Sequence, residues 1–108
     1  MILQRSAQFD ADLEQQFRWY LLATKLEPAD SLRLATLFAD AVDAALETLR
    51  QNPEIGRQRF QTAPDLIGTR SWGLPKPFCR FIIFYRFDGK LISAERLLEG
   101  HRRLAGEE

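Results

Sequence analysis

Residues 78–98 read Phe78-Cys79-Arg80-Phe81-Ile82-Ile83-Phe84-Tyr85-Arg86-Phe87-Asp88-Gly89-Lys90-Leu91-Ile92-Ser93-Ala94-Glu95-Arg96-Leu97-Leu98, and this stretch decides the fold. Aromatic and β-branched residues crowd 78–87, Asp88-Gly89 follows, and a second mixed run occupies 90–98. Two such runs around Asp-Gly predict a β-hairpin closed by a two-residue type I′ turn. That turn would pair Phe87 with Lys90, Tyr85 with Ile92, Ile83 with Ala94, Phe81 with Arg96 and Cys79 with Leu98. Side chains alternate across a strand, so these pairs form one largely apolar face. Arg80, Ile82, Phe84, Arg86, Leu91 and Leu97 fall on the other. The first face requires a cover, and the residues upstream supply one.

Residues 2–5 suit a short strand. Ser6 can cap a helix whose first turns hold Asp10, Asp12 and Glu14, near the positive end of its dipole. Phe9, Leu13, Phe17 and Tyr20 recur at helical spacing, which predicts a helix over 7–23 with Trp19 off its main stripe and partly exposed. Glu27-Pro28-Ala29-Asp30 breaks that helix and opens a second. There Leu34, Phe38, Ala41, Val42, Ala45, Leu46 and Leu49 form a single stripe, ended by Asn52-Pro53. Two helices joined by so short a break predict an antiparallel hairpin. Residues 52–66 lack periodicity and read as a long ordered loop, and 67–74 as a strand interrupted by Pro75-Lys76-Pro77. The expectation is an α+β domain over residues 1–108, in the order β-α-α-β-β-β, with a helix hairpin on one face of a small antiparallel sheet. Cys79, on the helix-facing side, is expected to be buried.

At 45% hydrophobic and 28% charged residues, the chain has the composition of an ordered globular domain. One cysteine and one histidine cannot build a disulfide or a Cys/His zinc site, so no metal or cofactor is expected. The first fifteen residues lack a basic start and an apolar stretch, and the run Phe81 to Tyr85 is too short to span a bilayer. A cytoplasmic protein is therefore expected. Residues 1–50 carry five basic and eight acidic side chains and residues 51–108 ten and seven, and between Arg57 and Arg86 six basic residues stand against Asp65 alone, a patch that suits an anionic partner.

Four segments after residue 52 bear a family resemblance. Asn52-Pro53-Glu54-Ile55-Gly56-Arg57 resembles the helix-ending proline and Gly-Arg of the ParE/RelE toxin superfamily. Pro64-Asp65-Leu66-Ile67-Gly68-Thr69-Arg70 resembles its strand-entry segment, and Arg80 to Arg86 its central strand. Arg96-Leu97-Leu98-Glu99-Gly100-His101-Arg102-Arg103-Leu104 is similar to its last strand and exit, with Glu99 where many relatives have histidine and Arg103 where they have aspartate. The resemblance is closer to the ParE branch, associated with DNA gyrase poisoning, than to the RelE branch, which cleaves messenger RNA on the ribosome. It implies the toxin of a type II toxin–antitoxin pair, held in a hetero-oligomer by a cognate antitoxin, with gyrase as target. Two alternatives stay open: a ribosome-dependent endoribonuclease, and a degenerate member surviving as a non-toxic binding module.

The RelE-like alternative implies a metal-independent site. Arg70, Arg80 and Arg102 resemble basic positions of the family's nucleases, and His101 is the one side chain with an ordinary pKa suited to proton transfer near neutrality. The carboxy-terminal tyrosine of those enzymes has no counterpart here, and zero net charge suits a ribosome-bound nuclease poorly. The balance is toward a protein that binds and does not catalyse. For partner binding, the expected surface is the face carrying Arg80, Ile82, Phe84, Arg86, Leu91 and Leu97, where exposed apolar groups between arginines suit an acidic, amphipathic antitoxin tail.

Overall fold

The computed structural model describes residues 1–58 and 66–100. Its elements are β1 (Ile2–Arg5), α1 (Ala7–Leu22), α2 (Pro28–Gln51), β2 (Arg57–Gln58), β3 (Arg70–Gly73), β4 (Phe81–Phe87) and β5 (Leu91–Glu99). The five strands form one sheet in the order β1-β5-β4-β3-β2.

Both helices follow the periodicity that predicts them. The Ser6 hydroxyl caps α1 by accepting from the Phe9 N–H at 3.0 Å. The stripe of α2 packs on the sheet: Phe38, Val42, Ala45, Leu46 and Leu49 are buried, while Leu34 and Ala41 sit half-buried at its margin. Phe38 lies at the centre of a ring cluster, 5.3 Å from Tyr20, 5.3 Å from Phe78 and 5.1 Å from Phe81. Trp19 is 47% exposed, as its place off the stripe implies.

The sheet departs from expectation in four ways. It is mixed, because β1 lies parallel to β5, pairing Leu3 with Ile92 and Arg5 with Ala94. A two-residue strand, β2, occurs inside the stretch read as a loop, too short to show any period. β3 begins at Arg70, because Gly68 at φ 91° turns the chain just before it. Finally, the hairpin register is shifted. A type I′ turn needs positive φ at both central residues, and only Gly89 has it, at 95°. The Asp88 carboxylate instead accepts from the N–H groups of Lys90 and Leu91, at 3.1 and 2.9 Å, and opens the turn so that Phe87 pairs with Ile92. This shift spans two residues and preserves the faces up to Ala94.

Beyond Ala94 the faces change. Tyr85 pairs with Ala94 but Phe84 with Arg96, so Glu95 is an extra residue in a β-bulge. The bulge sends Leu97 under the helices, into the core, and Leu98 to the opposite face. Cys79 is a second correction: it precedes β4, within a turn, and is exposed.

β1 ends at Arg5, and the start of α1 takes over its role at the edge of β5. Ser6 donates through its N–H to the Ala94 carbonyl at 2.9 Å and through its hydroxyl to the Glu95 carbonyl at 2.8 Å. Asp12 accepts from the Leu97 N–H at 2.9 Å while chelating Arg96 at 2.8 and 3.1 Å. The Asp12 side chain is only 13% exposed, against 34% for Arg96, so its loss strands a backbone donor and a partly desolvated guanidinium. Asp12→Ala is expected to cost about 1–3 kcal/mol, and Asp12→Asn, which keeps an acceptor for Leu97, clearly less. Denaturant midpoints of the two variants measure the difference.

Candidate functional site

Arg70, at the start of β3, is engaged in structure. It points to the helix side, with its guanidinium 5.4 Å from the Phe87 ring centre. One of its Nη atoms donates to the carbonyls of Glu54 and Gly56, at 3.1 and 2.9 Å. Beside it the Tyr85 hydroxyl accepts from the Gly56 N–H at 2.9 Å and donates to the Pro53 carbonyl at 2.6 Å. Burial pushes the Tyr85 phenol up, with the Gly56 N–H and the Arg70 charge acting the other way. Arg70 and Tyr85 together clamp the chain as it leaves α2. The Asn52–Arg57 motif therefore has a structural meaning: Pro53 offers a carbonyl, and Gly56 has no side chain to strike the tyrosine ring.

Arg80 lies elsewhere. β3 pairs Arg70 with Tyr85, five residues along from Arg80, which at strand spacing separates the two by about 17 Å. Arg80 precedes β4, so strand alternation does not set its direction. Its guanidinium lies 5.5 Å from the ring centre of Phe81, a core residue on the helix side, and not on the open face predicted for it. There it lines a cleft of about 240 Å³ between α1 and the ends of β4 and β5, with Gln15, Gln16, Trp19 and Glu99. Tyr20 stands next to it. Burial pushes the Tyr20 phenol up, while the Arg80 charge and the Gln16 side chain pull it down. The helical spacing of Gln15, Gln16 and Trp19 shows that they share a stretch of α1, but nothing in it says that Arg80 meets them.

The remaining predicted positions do not form one exposed surface. Phe84 is 2% exposed and packs with Leu98, Leu66 and Ile82 on the face away from the helices. Leu97 is buried on the opposite side, and Leu91 stays half-buried next to Ile2 of β1. Arg86 pairs with the bulged Glu95 at 3.1 Å. His101 and Arg102 lie outside the described residues. The described residues end at Gly100, whose N–H donates to the Arg80 carbonyl.

This architecture has relatives. A family model described as the ParE toxin of the type II toxin–antitoxin system parDE matches residues 3–104. Among solved structures, a chain described as the chromosomal ParDE TA system from P. aeruginosa superposes with a TM-score of 0.66. It is 22% identical, over 92% of this chain and 95% of that one, so the likeness is one of fold. No curated protein matches the chain.

Proposed function

Because this chain belongs to the ParE toxin family of type II toxin–antitoxin systems, we propose that it arrests growth by binding DNA gyrase in the cytoplasm and is neutralised by a cognate antitoxin. The match across residues 3–104 carries this reading, since the gyrase association is that of the family's ParE branch. The geometry of the arginines favours binding over cutting. A nuclease site needs its cations to converge on one phosphate, within hydrogen-bond reach. Arg70 instead spends its donors on two backbone carbonyls and stands about 17 Å from Arg80 along β4. No helix among the described residues is long and apolar enough to cross a membrane.

Purified protein is expected to inhibit supercoiling of relaxed plasmid by gyrase, with activity restored by an equimolar amount of antitoxin. Induction without antitoxin should give filamentous cells and a DNA-damage response. Translation arrest, with cuts in ribosome-bound message that vanish in Arg80→Ala, would transfer the protein to the nuclease branch. Unimpaired growth on full expression would leave it a binding module.

A further inference from the structure

Among the described residues β2 joins the sheet through two residue pairs, Arg57 with Ser71 and Gln58 with Arg70. What precedes it explains why it starts so late. The Gly56 N–H is held by the Tyr85 hydroxyl and the Ile55 N–H by the Asn52 carbonyl, so the chain before Arg57 is drawn away from the edge. β3 runs on to Gly73 without it. The Leu74 N–H donates across to the Phe81 carbonyl on β4, so strand alternation turns the Gly73 N–H and C=O the other way, into the lane that β2 leaves empty. Among the described residues nothing pairs with them, and Gly73 is exposed.

A cleft of about 350 Å³ opens at this notch, lined by Ile55, Arg57, Ser71, Trp72, Cys79 and Ile82 besides Gly73. Arg57 is the one charged group among them, and it makes no ion pair among the described residues. The Ser71 hydroxyl, on a residue only 8% exposed, has no hydrogen-bond partner among them either. An unpaired N–H and C=O on a strand edge, a spare hydroxyl, an isolated cation and an aliphatic floor call for an extended peptide with a carboxylate beside small apolar residues. The absence of a side chain at Gly73 leaves room for the incoming residue to rest on Ile82. A second copy of the chain fits badly, because its exposed edge strand Ile2–Arg5 carries no carboxylate to meet Arg57.

We propose that this notch receives an extended, acidic segment of the antitoxin, which adds a strand to β3. The proposal rests on the reading that a cognate antitoxin binds the chain, and its test separates the two. Cys79 is the only cysteine of the chain and lies exposed in the cleft, so it reports occupancy directly. In the complex of full-length toxin and antitoxin, alkylation of Cys79 by iodoacetamide, followed by mass spectrometry of the toxin, is expected to slow at least about ten-fold relative to free toxin. Arg57→Glu should weaken the complex by about ten-fold or more, against no change for Arg18→Glu on the exposed surface of α1. Gly73→Pro, which deletes the edge N–H, should weaken it as well. A tight complex in which Cys79 reacts at the free rate and Arg57→Glu binds like wild type would leave the antitoxin in place and overturn the notch. Failure of the wild-type chains to associate at all would overturn the reading beneath it.

Discussion

Phe38→Ala is expected to lower stability by about 3–5 kcal/mol, the cost of removing a large ring from a site that cannot collapse. Phe38 has no exposed surface and touches three other rings, those of Tyr20, Phe78 and Phe81. Those neighbours come from α1, the turn before β4 and β4 itself, so no single element can move to fill the void. Total stability for a domain of this size is about 5–15 kcal/mol, so the loss takes up a large share of it. Urea unfolding followed by far-ultraviolet circular dichroism measures it. A midpoint equal to wild type would mean that α2 presents a different face to the sheet.

Gly56→Ala is expected to cost about 2–4 kcal/mol, although it adds one methyl group at the end of a loop. The new Cβ would sit 2.6 Å from Cε1 and 2.8 Å from Cζ of Tyr85, and closer still to the hydroxyl. Tyr85 has no exposed surface and cannot swing aside. The backbone at Gly56 has to retreat, and both hydrogen bonds of the hydroxyl, to Gly56 and Pro53, go with it. Tyr85→Phe removes the atom in the worst contact. In the double variant the two costs should therefore add to distinctly less than their sum. Strict additivity in denaturant midpoints would show that the clash lies elsewhere.

The same residues show how far the fold could be read from the sequence. Phe38, Val42, Ala45, Leu46 and Leu49 follow a 3.6-residue period that only a helix on a core produces, and Phe81, Ile83 and Tyr85 face that core as their alternation requires. The bulge at Glu95 left no trace, because Ala94-Glu95-Arg96 is a plausible strand segment in either register. One inserted residue exchanged Leu97 and Leu98 between the faces, and with them part of the expected partner surface. The turn departs from expectation for a related reason: Asp-Gly suits type I′ through its backbone, while here the Asp88 side chain binds the N–H groups of Lys90 and Leu91.

The candidate site was less legible still. Arg70 and Arg80 are alike in sequence, both resembling basic positions of the family's nucleases, yet one binds carbonyls and the other lines a cleft. Carbonyl acceptors carry no mark in a sequence. The edge at Gly73, unpaired among the described residues, depends on where β2 begins, and that depends on a tyrosine hydroxyl reaching across from β4.

The parallel seat of β1 against β5 has a consequence in time as well as space. The ribosome delivers Ile2–Arg5 and both helices early, but the strand that must lie between β1 and β4 is made of residues 91–99. Until it emerges, β1 has no neighbour, Ser6 and Asp12 have no edge to serve, and the stripe of α2 lacks much of its floor. Contacts between the two ends of a chain close late and together. A nascent chain halted short of residue 91 therefore holds the strands that line the Gly73 notch but lacks Leu97, Leu98 and Glu99, one wall of the Arg80 cleft.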